Sequence, residues 1–471
     1  VKEKPTVLKG RNLEAMSKFI LKAVLLFLLI LFHSGIPAAA FVREKETAKY
    51  FVLKNGLKVF LMEKRNVPLV NVVAAVDLGS KDETPETSGI VHVLEHLILF
   101  RGTEVRSGND IGRDVRRHGA YFNAHTGNDL AFFEISVPAT AVDFALNNQR
   151  EILFRLKVTQ DELDAEKEII LEEFRQLEDD PFRYATTLVY QNLFRGHPYS
   201  NPLIGDPDVI KDLSAEKVTD FYSRYFVPSN CALALVGDFS IPEMEEKVGA
   251  FFGKIQGESP VRPTIGPAQP PEKDIDLEVE MDVQKAYLVL AVQAPDFNSP
   301  EQYSMDVLTE ILGRGINPLL YSALNRGPRR LIETLSMAYM THKYAGALLA
   351  FFTLDPQNLN RVKRETVRYL RRAREEDFSP DDVLGEQQMF AFDRLGSAKN
   401  HIKYNSYRSQ ESGLSMAASL AQFMILREGE AGRKFLENID RVKSSDLRKA
   451  AADYLSRAKY IMVSILPKKV E

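Results

Sequence analysis

The sequence predicts an α+β fold of two related halves, each a largely antiparallel sheet packed with helices. Three observations carry this. The stretch GKIQGESPVRPTIGPAQPPEKD (253–274) contains Pro260, Pro263, Pro267, Pro270 and Pro271, which exclude a helix or a central strand. It reads as an extended linker between two parts of similar length. Both parts then follow one order of elements. NVVAAVDLGS precedes HVLEHLILFRG as AYLVLAVQAP precedes DVLTEILGRG, and each part closes on a helix followed by a strand. Finally, alternating segments such as LAFFEISVP and ALLAFFTLDP predict half-buried strands, with long helical stretches between them.

The elements can be taken in order. Residues 1–40 form a targeting segment with a start at Met16: Lys18 and Lys22 precede the apolar run Ala23 to Phe32, and GIPAAA ends at Ala40. The run is shorter than the roughly 20 residues a membrane span takes, so cleavage after Ala40 and export to a periplasm or the medium are expected. Membrane contact is expected only through this segment, if it is retained. Residues 41–255 form the N-terminal domain, 256–275 the linker and 276–471 the C-terminal domain. Leu213, Val218 and Tyr225 match Val442, Leu447 and Tyr454 at one constant offset, as diverged copies would. The single cysteine, Cys231, excludes an internal disulfide, and a net charge of −4 without a basic patch argues against nucleic acid as a partner.

The chemistry concentrates in HVLEHLILF (92–100), which holds two of the eight histidines of the chain. On a helix, positions i, i+3 and i+4 share a face, so His92, Glu95 and His96 project together. This is H-x-x-E-H, the reversed form of the H-E-x-x-H zinc motif. Two imidazoles converging on one cation, with a carboxylate alongside, suit a zinc-activated water. The bland alternative is a pair of hydrogen-bonded core histidines. The second half has Thr309-Glu310 where the first has Glu95-His96, so only one copy carries the pair.

Catalytic zinc takes three protein ligands and keeps one position open. The helix predicted over 162–181, ELDAEKEIILEEFRQLEDDP, carries an apolar stripe of Leu163, Ile170, Phe174 and Leu177. At about 100° per residue, Glu166 and Glu173 fall on the stripe side while Glu168 and Glu172 face water. Inward carboxylates are costly unless paired or bound to a cation. Glu173 is therefore assigned as third ligand and Glu166 as its support.

With these residues in place, the chain resembles the M16 metallopeptidases (the pitrilysin, insulin-degrading enzyme and mitochondrial processing peptidase family). GIVHVLEHLILFRGT looks like that family's zinc helix and AEKEIILEEFRQLEDDP like its downstream acidic helix. GAYFNAHTGNDLAFFEISVP is similar to its substrate-binding edge strand. The resemblance implies two homologous domains closing like a clamshell over a chamber, one zinc ion per chain, and endopeptidase activity on peptides or unfolded segments. It implies His92, His96 and Glu173 as ligands, Glu95 as general base and Glu166 in support. Tyr121, Asn123 and Ala124 would contact an extended substrate. In the second domain many relatives have an arginine seven residues before a tyrosine. Here Ile332 holds that place before Tyr339, leaving Arg329, Arg330 and Tyr339 as candidates. A second reading is a binding or assembly subunit with weak activity. Relatives of this size often pair, as homodimers or with an inactive M16-like partner.

Overall fold

The computed structural model describes residues 47–315, 317–326, 330–376, 378, 393–426 and 434–468. Residues 1–40, read above as a targeting segment, and Arg329 lie outside them. The fold is α+β with two sheets. The first has the order β1 (Ala48–Val52), β2 (Lys58–Glu63), β6 (Cys231–Gly237), β3 (Leu69–Val76), β5 (Ala131–Pro138), β4 (Tyr121–Thr126). The second has the order β7 (Ile275–Met281), β11 (Ile461–Pro467), β8 (Ala286–Ala294), β10 (Gly346–Leu354), β9 (Thr334–Met340). Apart from β1 the two orders superimpose strand for strand. Each sheet has one parallel pair, β2 with β6 and β7 with β11, and both pairs occupy the same place in the order. Among the described residues the edge strands β4 and β9 pair on one side only.

Each sheet buries one face against helices of its own half. In the first, Val72, Ala74, Phe133, Ile135 and Leu233 pack with Leu94, Leu97 and Ile98 of the helix Ile90–Phe100. The other faces are covered by exchange. The helix Gly413–Leu426 of the second half lays Met416, Ala417, Leu420 and Ala421 on Phe60, Met62, Val73, Ala75, Ala234 and Val236 of the first sheet. The helix Pro181–Leu193 of the first half lays Ala185, Val189 and Leu193 on Val289, Ala291, Ala347, Leu349 and Phe351 of the second. This corrects the reading of ALLAFFTLDP as a half-buried strand. All but one residue of β10 is buried, because its second face meets a helix from the other half.

Polar contacts lock the halves together. Asp129 accepts from the Tyr199 hydroxyl (2.7 Å) and from the Lys343 backbone N–H (2.9 Å), while the Tyr344 N–H donates to Tyr199 (3.1 Å). From residues 255–271, which carry no helix or strand, Arg262 reaches Asp77 at 2.8 Å. Lys81, with a side chain 1% exposed, pairs with Asp77 (3.1 Å) and Asp82 (2.6 Å), and Lys343 lies 3.6 Å from Asp77. A buried lysine is tolerated because two carboxylates and the Asp129 carbonyl surround it.

Candidate metal centre

The helix Ile90–Phe100 starts at Gly89, whose φ of 89° lies in the left-handed region that favours glycine. No side chain of the helix start caps its free N–H groups. The Glu83 carboxylate does so instead, accepting from Gly89 N (2.9 Å) and Val91 N (3.0 Å). A Cβ on Gly205 would stand 2.3 Å from the Gly89 Cα, so two glycines let the preceding loop pass close to the helix start. Val93, Leu94, Leu97 and Ile98 anchor the helix in the core, and His92, Glu95 and His96 emerge on its remaining face.

The acidic helix runs over Gln160–Asp179, with the Thr159 hydroxyl accepting from the Glu162 N–H at its start. It stops at Asp180-Pro181, where Asp180 caps the next helix. Glu166 is buried, Glu173 half-buried, and Glu168 and Glu172 exposed. The phase of the charges is thus the one that spacing requires. Buried Lys167 was not anticipated; it donates to the Lys211 carbonyl at 2.9 Å.

One nitrogen from each of His92 and His96 and one Glu173 oxygen lie within 4.8 Å of one another, and this is the one such group among the described residues. Both imidazole Nε2 atoms stand 3.6 Å from Glu173 Oε2. Donors held at zinc–nitrogen and zinc–oxygen bond lengths on tetrahedral corners are separated by about 3.4 Å, so both histidine–Glu173 separations match a shared zinc ion. The rings are nearly perpendicular, with centroids 4.8 Å apart. His96 Nδ1 is 3.0 Å from Glu166 Oε2, which leaves Nε2 facing Glu173. Arg101 pairs with Glu166 at 2.6 Å. His92 has only a weak backbone contact with Ile204, short of a well-formed hydrogen bond at Nδ1.

Set by the protein groups alone, burial and the neighbouring His96 press the His92 imidazole down to about 4. Burial also works against charge on His96, but its hydrogen bonds to Glu166 and Glu173 outweigh this and push it up to about 9. The bond to His96 lowers Glu173. Burial raises Glu95, against a hydrogen bond from the Thr126 hydroxyl and the backbone of the same residue. Thr126 ends β4, so the edge strand finishes at Glu95.

The remaining candidates divide. Tyr121 and Asn123 are exposed on β4, and Ala124 turns into the core. Tyr339, expected as a substrate contact, is instead turned into the core. It is 4% exposed and packs in the second core, and its hydroxyl donates to the Pro295 carbonyl at 2.6 Å. The physical reason is strand parity: Tyr339 shares the inward face of β9 with Met337. Arg330 is exposed in the segment leading to β9, and the guanidinium acting on His92 and Glu173 is that of Arg183. His125 stacks on Phe132 and His118 on Phe144. His342 and His401, which show no partner in the sequence, have partners in space. His342 bonds the Tyr190 hydroxyl at 3.0 Å, and His401 bonds Glu310. Glu310 stands where the first copy has His96, so the histidine–carboxylate pair of one copy recurs reversed in the other.

Family models match both halves: Insulinase (Peptidase family M16) over residues 58–207 and Peptidase M16 inactive domain over 212–390. An uncharacterized zinc protease of Mycobacterium tuberculosis is 25% identical over 393 residues, 80% of this chain and 88% of that protein. Zinc protease PqqE of Helicobacter pylori is 23% identical over 452 residues, 93% and 97% of the two chains. The crystal structure of a protease from Helicobacter pylori matches with a TM-score of 0.80 at 23% identity, covering 90% of this chain and all of that one. With both M16 models matched in order and the same two-sheet fold in its structural neighbours, the chain belongs to peptidase family M16.

Proposed function

We propose that this chain is a zinc-dependent metalloendopeptidase cleaving peptides or unfolded segments. The observation that carries the reading is the convergence of His92, His96 and Glu173 donor atoms within 4.8 Å, with Glu95 on the same helix face. Zinc held by these three residues would supply a Lewis acid for the peptide carbonyl and acidify a water. Glu95, half-buried and with its carboxyl raised by burial, accepts a proton from the attacking water and returns it to the leaving amine. Glu166 and Arg101 hold the His96 ring in one tautomer and orientation. The open side of β4 accepts an extended peptide as an added strand, positioning its carbonyl beside Glu95. Backbone pairing of this kind tolerates many sequences. We further propose that the protein works after export, and that a second M16-type subunit pairs with it to enclose the substrate.

The test is hydrolysis of a quenched peptide by the zinc-loaded protein and by Glu95→Gln, with zinc content measured on both. Loss of turnover in the variant at unchanged zinc supports the reading, and equal rates would remove Glu95 as the base. A second reading, a peptide-binding partner subunit, is favoured by the burial of Tyr339, which deprives the second domain of that contact. Zinc binding with no cleavage by either protein would select it.

A further inference from the structure

A cleft of about 660 Å³ opens at the end of β4 away from Glu95. Its floor is a row of paired residues across the first sheet. Tyr121 faces Ser136, Ser136 faces Asn71, and Asn71 faces Val236. Such partners share a sheet face, and Val236 marks it as the face beneath the helix Gly413–Leu426. The walls come from both halves, with Leu69 on one side and Tyr407 and Leu414 on the other. Lys64 closes one end by donating to the Gln410 carbonyl. A Cβ on Gly413 would stand 2.5 Å from the Asn71 amide nitrogen, so the glycine lets the helix start sit directly on the sheet.

Single exposed apolar side chains are ordinary, but here they gather. Val67 (54% exposed), Leu69 (40%), Tyr121 (49%) and Tyr407 (52%) all border this one cleft. An apolar cluster rimmed by Lys64 and Glu411 has the character of a binding surface. It is continuous with the free edge of β4. From Thr126 at Glu95 to Tyr121 at the cleft, a paired strand advances about 17 Å at roughly 3.4 Å per residue.

We propose that this cleft is a distal subsite, taking an apolar side chain of the substrate about five residues from the scissile bond. The position of that bond rests on the peptidase reading above. Alternate residues of a strand added to β4 point to the cleft face, where Tyr121 and Asn123 point. A short peptide occupies the metal end alone. A longer one reaches both ends and gains the apolar contact.

The experiment uses the full chain carrying Glu95→Gln and labelled peptides of about twelve residues, read by fluorescence anisotropy. One peptide set has leucine about five residues to either side of the central bond, the other aspartate. The leucine peptides should bind about tenfold more tightly, and Tyr407→Ala should erase the difference while Tyr407→Phe keeps it. In the background with Glu95 intact, Tyr407→Ala should cleave a four-residue core at the unaltered rate, which also shows that the variant is folded. Equal binding of the two peptide sets, or an equal loss on the short core, would overturn the proposal. Should the protein bind leucine peptides selectively yet cleave none, the peptidase reading fails and the subsite stands. Should it cleave peptides of every length without regard to the distal residue, the subsite alone fails.

Discussion

His96 Nδ1 and Glu166 Oε2 stand 3.0 Å apart, and the same carboxylate is 2.6 Å from Arg101. The buried carboxylate thus has a cation on one oxygen and an imidazole on the other. Glu166→Gln keeps the volume and removes the charge that fixes the ring. Zinc affinity, measured by competition with a chromogenic chelator, should fall by about 10–100-fold while the circular dichroism spectrum is retained.

Glu83 is the counterpart of this support at the other end of the helix. Glu83→Ala strands the Gly89 and Val91 N–H groups in a buried setting. We expect a loss of about 2–4 kcal/mol in urea unfolding, with weaker zinc binding because the His92 end of the helix frays. An unchanged midpoint would show that other groups satisfy these donors.

Chelation should separate chemistry from fold. The helix Ile90–Phe100 is anchored by Val93, Leu94, Leu97 and Ile98, none more than 1% exposed. Treatment with EDTA should therefore abolish peptide hydrolysis and lower Tm by a few degrees, leaving far-UV circular dichroism intact. Collapse of the spectrum would mean that the metal holds the fold.

The contacts between the halves give a pH dependence with a defined sign. Burial would raise the Asp77 carboxyl, but Lys81, Arg262 and Lys343 outweigh it and hold the group down to about 2. A carboxylate depressed in the folded state stabilises above its unfolded value near 3.9, and the contribution fades as pH falls toward about 2. Its size is about 2–3 kcal/mol. The stability difference between the wild type and Asp77→Asn should thus be full at pH 5 to 7 and shrink below about pH 4. A constant difference down to about pH 2 would exclude Asp77 as its source.

What could be read from the sequence was what local periodicity encodes. Helical spacing placed His92, Glu95 and His96 on one face and separated Glu166 and Glu173 from Glu168 and Glu172. Glu83 was not legible, since one acid in the turn DETPETSG looks like any solvated charge until the helix start folds onto it. Arg101 escaped for the same reason: its partner lies 65 positions away. Tyr339 was named from the family resemblance although Ile332 holds the arginine's place, and parity with Met337 already pointed it inward. The full burial of β10 has no local signal, because the covering side chains belong to the helix Pro181–Leu193.

The exchange of helices between the two sheets has a consequence for the integrity of the chain. A protein cut within residues 255–271 would yield two fragments, each with a bare strip where its sibling's helix belongs: Phe60, Val73 and Val236 on one, Val289, Ala291 and Phe351 on the other. Apart, they would aggregate; mixed, they would find each other again. Neither half could therefore be removed without uncovering the sheet of the other, even the half that carries no histidine pair.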